Sequence, residues 1–238
     1  TKKGELSLFA DDYVVLSKCL NDLGDKYHGV QDIEKKYRNR SVDMIVNPES
    51  KAILKNRFII TQKIREFMIK EGFLEVETPI TQLYYGGAAA KPFMTYHHEL
   101  DMNLYLRVAL EQALKRVMVG GMEAIFEIGK NFRNESIDRT HNPEFSMLEA
   151  YKAYVDYEYM MDFVEKFFKF MAEKLDKTTF EFNGHEIDLK HSFARHSMFE
   201  LIKKYTGQYV SESDADELKK TCKEKGMEVE PQDHYGSF

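Results

Sequence analysis

The sequence predicts an α+β fold in which an antiparallel sheet is flanked by helices. Two observations favour this class. The strand candidates are adjacent in sequence and lie mostly late in the chain, and residues 157–175 have the apolar period of an amphipathic helix. The chain has 238 residues, 43% of them hydrophobic, which is enough for one large core or two small ones.

The N-terminal 47 residues contain little that could form a core. Residues 5–20, ELSLFADDYVVLSKCL, have two short apolar alternations around a pair of aspartates, and these predict two strands joined by a turn. Since two strands cannot form a domain, residues 1–22 are interpreted as the end of a β-domain. Residues 23–47 are highly charged and predict a solvated linker. The main domain is assigned to residues 48–238.

The main domain begins with a predicted helix. Asn47 is a typical cap and Pro48 a typical first residue, and Gly72 is the predicted end. Apolar residues recur at the helical period between these limits, so one face is expected to pack inward. The segment FLEVETP then predicts a strand that Pro79 ends.

The middle of the chain predicts an alternation of strand and helix. Gly86 and Gly87 permit a close approach of the backbone to a neighbour or ligand. LYLRV predicts a strand, a helix is expected from about Leu110 to Gly120, and AIFEI predicts the next strand.

The last third predicts a long helix, a hairpin and two shorter helices. Asp156 is the predicted N-cap of the helix at 157–175, and Asn183–Gly184 predicts a hairpin turn. The capping box Ser197–Glu200 opens another helix, and a polar helix is expected near 212–225. The buried side of the long helix is predicted to contain Met160, Phe163, Val164, Phe167, Phe170 and Met171.

Composition limits the function classes. The net charge of −6 argues against wholesale coating of nucleic acid, although it allows a local basic patch. Cys19 and Cys222 match no metal or disulfide spacing, and no apolar run approaches the roughly 20 residues of a membrane span. A reducing, soluble compartment, the cytoplasm, is expected, with no membrane partner.

The stretch FRNESIDRTHNPEF at 132–145 is too polar for a core strand and too aromatic for a solvent-exposed loop without a function. We expect two antiparallel strands, 124–135 and 142–154, joined by a loop. Side chains alternate faces along a strand, so Phe145, Glu149 and Tyr151 share one face. The predicted register places Arg133 across from Phe145, and Glu127 across from Tyr151.

This face combines complementary binding groups. Arg133 can bind a carboxylate or phosphate, Phe145 offers a flat surface, Glu135 can accept a hydrogen bond from an amine, and Glu149 with Tyr151 could receive an ammonium group. The alternative is a surface sheet with incidental ion pairs. A metal site at His141 lacks ligands, and a serine hydrolase lacks a nucleophile elbow.

The same residues resemble a known family. FRNESIDRTHNPEFSMLEAY resembles motif 2 of the class II aminoacyl-tRNA synthetases, in particular the lysyl-tRNA synthetases. KEGFLEVETP at 70–79 resembles motif 1, and GGAAAKPF, DKYHGVQD and EIGKNFRNE are similar to the lysyl branch. The similarity is collinear from about Leu6 to Tyr205.

The resemblance implies a fold and an activity. The fold would be a six-stranded antiparallel catalytic core that forms a homodimer through motif 1, preceded by the end of an OB-fold anticodon-binding barrel at 1–22. The activity would be formation of lysyl-adenylate from L-lysine and ATP, followed by transfer of lysine to tRNA(Lys). Mg²⁺ is the expected cofactor, with its ligands and motif 3 expected beyond Phe238 and no metal ligand assigned in this chain.

The resemblance also assigns roles to residues, with Arg133 as the catalytic residue. The implied ATP site consists of Arg133, Asn134, Glu135, His141 and Phe145. The implied lysine site consists of Gly87, Glu111, Arg133, Glu149 and Tyr151.

Two positions depart from the family pattern: Leu110 stands where the family usually has Pro, and Ser136 where it usually has Gly. The chain by itself is expected to be inactive without motif 3. Two other functions stay open, namely a paralogue that attaches lysine to a protein and a non-catalytic remnant of the class II fold.

Overall fold

The computed structural model describes residues 4, 6–20, 23, 29–207, 215–224 and 226. The chain divides into two compact units, Thr1–Lys177 and Thr178–Phe238. No helix within the described ranges has the length and apolar character needed to cross a membrane.

The N-terminal residues 6–20 contain neither strand nor helix, so the prediction of two strands here is wrong. Their apolar side chains are exposed; Leu6 is 95% and Phe9 99% accessible. A two-stranded ribbon is marginal unless something covers its apolar face, and these exposures show that nothing described in the chain does so. The assignment of residues 1–22 to the end of an OB-fold stays a prediction.

The described part of the predicted linker contains two short helices, α1 (Ile33–Arg38) and α2 (Arg40–Val46). A buried carboxylate replaces the missing apolar anchors: Asp43 accepts hydrogen bonds from Asn47 (2.7 Å), Ser50 (2.9 Å) and Arg40 (3.1 Å). These bonds, that from Asn47 most of all, lower the pKa of Asp43. Polar contacts therefore fix these helices to the start of the main domain.

The first long helix, α3 (Pro48–Lys70), begins and ends close to the predicted residues. Asn47 occupies the N-cap position, but its side chain makes no capping bond, which corrects the predicted capping role. It donates instead to the carbonyl of Val30 (3.1 Å) and to Asp43. The Asn47 side chain bonds to Asp43 because a buried carboxylate must be hydrogen-bonded.

Two three-stranded sheets follow in the first unit. Their elements are β1 (Leu74–Glu75), β2 (Thr81–Gln82), β3 (Met94–His97), β4 (Met102–Leu106), α4 (Glu111–Val119), β5 (Ala124–Phe132) and β6 (Glu144–Lys152). The strand orders are β1-β5-β6 and β2-β4-β3. All pairings are antiparallel except β1 with β5, which is parallel. The implied single six-stranded antiparallel sheet is therefore replaced by two smaller sheets among the described residues.

The strand pair β5–β6 has a register two residues from the predicted one. Phe145 lies across from Asn131, and Tyr151 across from Ile125. Because side chains alternate with a period of two, a shift of two residues keeps every side chain on its predicted face. The prediction of shared faces is thus confirmed although the predicted pairs were wrong.

The main core lies between the first sheet, α3 and the helix α5 (Tyr157–Lys174). Its centre is an aromatic cluster in which the ring of Phe67 lies 5.3 Å from those of Phe163, Phe167 and Phe170. Asp156 caps α5 by accepting from the Tyr159 amide, as predicted. Val164, predicted to be buried, is 43% exposed, because it lies at the edge of the apolar stripe.

A buried ion pair connects the two sheets of the first unit. The Arg107 guanidinium lies 2.8 Å from the Glu127 carboxylate, and the two side chains are 2% and 5% exposed. Arg107 also donates to the carbonyls of Thr78 (2.9 Å) and Lys130 (2.8 Å). The other Glu127 oxygen accepts from the amide (3.1 Å) and hydroxyl (2.7 Å) of Thr78. Both buried charges are therefore paired and hydrogen-bonded, as burial requires.

The second unit matches its predicted elements. Strands β7 (Thr179–Phe182) and β8 (His185–Asp188) form a hairpin at Asn183–Gly184, where both residues have positive φ. The capping box begins helix α6 (Met198–Thr206). The polar helix is α7 (Ala215–Glu224), and the remainder of its predicted range lies outside the described residues.

A Gly129→Ala substitution tests the importance of the buried ion pair. A Cβ atom at this position would lie 2.3 Å from an Arg107 nitrogen and 2.8 Å from a Glu127 oxygen. The ion pair must shift, and we expect the free energy of unfolding to fall by about 2 to 4 kcal/mol. Chemical denaturation followed by circular dichroism measures this change.

The matched control is Lys130→Ala on the same strand. The Lys130 side chain is half exposed and pairs with an exposed carboxylate, that of Glu144. Its loss should change the free energy of unfolding by less than about 1 kcal/mol. Equal effects of the two substitutions would contradict the assigned role of the ion pair.

Candidate active site

Arg133 and Phe145 are brought together, as the sequence predicted. Arg133 follows β5 directly, and its amide donates to the carbonyl of Pro143 (2.8 Å) in the residues before β6. Its guanidinium lies over the Phe145 ring, 5.1 Å from the centroid, and its Nε donates to the carbonyl of Val108 (3.4 Å). An anion-binding group and a flat ring therefore share one position on the sheet.

A cleft of about 450 Å³ opens at this pair. Four of the five residues in the implied ATP site line it, and Asn134 is absent from its lining. The cleft is lined by Arg133, Glu135, Ser136, Asp138, Thr140, His141, Asn142 and Phe145.

Asn134 and Glu135 contact an earlier segment of the chain. The Asn134 amide donates to the carbonyl of Lys91 (2.8 Å), and the Lys91 amide donates to a Glu135 oxygen (3.2 Å). These two bonds fix the segment GGAAAKPF beside the cleft. The Asn134 amide is therefore occupied by the chain itself.

His141 lies on the exposed loop between β5 and β6. Its Nδ1 contacts an Asp138 carboxylate oxygen at 2.8 Å, and the amides of Thr140 and His141 donate to the same carboxylate. These bonds, first of all the one from the Thr140 amide, lower the pKa of Asp138 to about 2. A negative charge thus stays beside His141 over the whole physiological range.

Glu149 and Tyr151 form the second predicted group. The Tyr151 hydroxyl donates to one Glu149 oxygen (2.9 Å), and the Leu110 amide donates to the other (3.3 Å). Both side chains are partly buried. Burial above all, and then the Glu149 carboxylate, raises the pKa of Tyr151. The phenol therefore stays a hydrogen-bond donor, and its bond together with that from Leu110 fixes the position of the Glu149 side chain. Neither Glu149 nor Tyr151 lines the cleft at Arg133.

Gly87 and Glu111 also meet as predicted. Gly87 has φ of +88°, and a Cβ atom there would lie 3.2 Å from the Cβ of Glu111, so only glycine fits comfortably. The Glu111 carboxylate pairs with Lys115 (2.6 Å), whose ammonium lies 5.9 Å from the centre of the Tyr151 ring. The sequence pattern assigns no role to Lys115.

The two departures from the family pattern prove compatible with the backbone. Ser136 is not among the residues with positive φ, so it carries no left-handed strain. Leu110 has φ of −84° at the N-cap of α4, and its amide makes the bond to Glu149. Proline could not donate this bond, because it has no N–H.

Residues 32–233 match the family described as tRNA synthetases class II (D, K and N). The chain belongs to this class II family. It is also similar to several curated proteins named lysine–tRNA ligase. It is 46% identical to the protein of Pelotomaculum thermopropionicum over 242 residues and 48% identical to the protein of Laribacter hongkongensis over 241 residues. Both matches include 100% of this chain. Identity to the Staphylococcus aureus protein is 45% over 239 residues, or 99% of the chain.

Each of these matches includes 48% of the relative, so the chain spans about half the length of the curated relatives it matches. The resemblance to class II synthetases is confirmed, and the residue roles that it implies stay predictions. Among the described residues of this class II domain, no group of three or more His, Cys, Asp or Glu side chains could hold a metal ion.

Sequence reasoning missed the buried Arg107 and its partner Glu127. Both interrupt apolar runs, in LYLRVAL and AIFEIG, and a charge inside such a run predicts a buried ion pair. It also missed Lys91 and Asp138, whose contacts depend on loop conformations. No period or motif in this class II domain indicates those contacts.

A Tyr151→Phe substitution tests the raised pKa. A model phenol ionises near pH 10, whereas burial and the Glu149 carboxylate raise the pKa of Tyr151, so its phenol is expected to stay protonated at that pH. The tyrosinate absorbance of the parent and of the variant should therefore be equal near pH 10. Circular dichroism must show that both chains are folded at this pH. If the parent then had the absorbance of one more tyrosinate than the variant near pH 10, the raised pKa of Tyr151 would be contradicted.

Proposed function

We propose that the natural protein containing this chain is a lysine–tRNA ligase, which forms lysyl-adenylate from L-lysine and ATP and transfers lysine to tRNA(Lys). The observation that carries this proposal is the fixed Glu149 carboxylate on the same strand face as Phe145, which lies against Arg133. The site thus offers a group for an ammonium beside groups for a nucleotide. The names of the similar proteins support the same activity.

Specificity for lysine would come from Glu149. The Tyr151 hydroxyl and the Leu110 amide each donate one hydrogen bond to it, and together they hold the carboxylate in place. A lysine ammonium would supply the missing positive charge, together with charge-assisted hydrogen bonds. A shorter or neutral side chain would leave the carboxylate desolvated without a cation, which costs several kcal/mol. Glu111 and the backbone of Gly87 would hold the α-amino group.

Arg133 would act in the chemical step. The lysine carboxylate attacks the α-phosphorus of ATP, the new P–O bond forms, and the bond to the leaving pyrophosphate breaks. The nucleophile is already ionised, so the step needs no general base. Arg133 can bind both the carboxylate and the α-phosphate and stabilise the charge that develops between them. Positioning and charge stabilisation thus supply the catalysis.

The cleft lined by Arg133 and His141 would hold the nucleotide. Phe145 would stack on adenine, Glu135 would accept from its exocyclic amine, the backbone at Asn134 would lie beside the base, and His141 would contact a phosphate. Mg²⁺ is the expected companion of ATP. The described residues offer no cluster of ligands for it.

The proposed partners are tRNA(Lys) and a second copy of the chain. A homodimer through the motif 1 region is supported by exposed apolar side chains in it and directly before it, where Leu74 is 56% and Ile69 62% accessible. A cytoplasmic location stays a prediction.

The decisive experiment is lysine-dependent exchange of pyrophosphate into ATP by the full natural chain. We expect exchange with lysine and none with ornithine or methionine at the same concentration. Charging of tRNA(Lys) would support the ligase, and transfer of lysine to a protein instead would favour the paralogue. A folded full-length protein without exchange would favour the non-catalytic remnant.

A Glu149→Gln substitution tests the pocket. The amide keeps the shape but removes the charge that pairs with the lysine ammonium, so the KM for lysine should rise about 100-fold, or about 2.7 kcal/mol. The KM for ATP should change by less than about threefold, since Glu149 is not part of the nucleotide site. Pyrophosphate exchange at varied concentrations of each substrate measures both constants.

Glu144→Gln is the matched control at the exposed start of the same strand, where the carboxylate pairs with Lys130 at 3.0 Å. It should leave both constants nearly unchanged. If Glu149→Gln raised the two KM values equally, the assignment of the lysine pocket would be wrong.

A further inference from the structure

The segment Arg107–Glu111 contacts both halves of the proposed site. The Val108 carbonyl accepts from Nε of Arg133 (3.4 Å), on the nucleotide side. Two residues later the Leu110 amide donates to Glu149 (3.3 Å), on the lysine side. The intervening backbone is short, so any movement of this segment changes the position of both groups.

Arg107 anchors the start of this segment. Its amide donates to the carbonyl of Ile80 (2.9 Å), and its carbonyl accepts from the amide of Phe132 (2.9 Å), the residue before Arg133. Its side chain is 2% exposed and forms the buried ion pair with Glu127 described above. The Arg107 side chain bonds to Lys130, Thr78 and Glu127 rather than to Arg133 or Glu149.

An arginine suits this position better than a lysine. The guanidinium donates in separate directions, from Nε to the carbonyl of Lys130 and from Nη1 to Thr78 and Glu127. A lysine ammonium is one compact group on a flexible chain and cannot reproduce this fork. Gly129 supplies the space, since a Cβ there would lie 2.3 Å from Nη2 of Arg107.

We propose that Arg107 is a positioning residue that couples the two halves of the site by fixing the segment Arg107–Glu111 against Arg133 and Glu149. The inference rests on the proposed function. A ligand that orders Arg133 would also order this segment through Val108, and the segment would then present the Leu110 amide to Glu149 in its binding position. Each substrate therefore strengthens binding of the other, a coupling that is reciprocal by thermodynamic necessity.

A competing explanation needs no role for Arg107. The lysine carboxylate and the α-phosphate both contact Arg133 in the proposed reaction, and this shared contact could couple the binding of the two ligands by itself. The two explanations differ in the effect of Arg107→Lys, which leaves Arg133 and Glu149 in place and keeps the buried positive charge.

The experiment measures lysine binding by calorimetry to the full natural chain, with and without α,β-methylene-ATP, whose bridge resists cleavage at the reacting position. We expect the analogue to tighten lysine binding at least about fivefold in the parent, within the range usual for coupled sites. In Arg107→Lys the factor should fall below about twofold, while lysine alone still binds.

Arg65→Lys is the matched control. Arg65 also forms a pair with a carboxylate, at 2.8 Å from Glu75, but on α3 and half exposed. It should keep the coupling factor of the parent. If folded Arg107→Lys kept the coupling factor of the parent, the inference would be overturned, and coupling through the shared contact at Arg133 would be favoured. A parent that binds neither lysine nor the analogue would instead overturn the proposed function, and this inference with it.

A second measurement decides the matter if Arg107→Lys does not fold. Hydrogen exchange is followed in the parent for peptides that contain residues 107–111, with the ATP analogue alone. The analogue binds on the nucleotide side of the site, which does not include Glu149 or Tyr151. We nevertheless expect slower exchange in these peptides, because Arg133 contacts the carbonyl of Val108. Protection confined to the loop between Arg133 and Phe145 would overturn the inference.

Discussion

The ion pair between Arg107 and Glu127 is the interaction on which the first unit depends. It joins the segment after β1, the residue after β4 and the middle of β5 through bonds to Thr78 and Lys130, and the two charged side chains are only 2% and 5% exposed. A buried pair adds little net stability compared with an apolar pair, but losing one partner is costly because the other charge stays desolvated. Its value here is geometric, since it fixes where the strands end, and the candidate site begins at those ends.

The candidate site is therefore built from strands and the residues next to them rather than from one continuous loop. Arg133 continues β5, Phe145, Glu149 and Tyr151 lie on β6, and Leu110 begins α4. Rigid elements suit a reaction that relies on positioning, because a small displacement of a bound group lowers its effective concentration sharply. The exposed loop that contains His141 is the exception, and its turn is held by the Asp138 carboxylate.

Much of this arrangement could be predicted from the sequence, because strand periodicity places side chains on a face without any knowledge of register. Phe145, Glu149 and Tyr151 were assigned to one face correctly even though their cross-strand partners were two residues off. Long-range polar contacts could not be predicted in this way. The contact of Lys91 with Glu135 spans 44 residues, and the exposed N-terminal strand candidates need partners that local pattern cannot supply.

The close contact between Gly129 and the ion pair limits the substitutions that this part of the chain can accept during evolution. The space that a side chain would fill at this position is occupied by the Arg107 guanidinium. A larger residue at 129 therefore becomes acceptable only if the side chain at 107 shrinks, and the Glu127 carboxylate must then be replaced by a neutral group, because it would otherwise stay buried without its partner. The three positions should behave epistatically, so that each single change is harmful and certain combined changes are tolerated. Substitutions at these sites are then expected to accumulate together among descendants of this sequence.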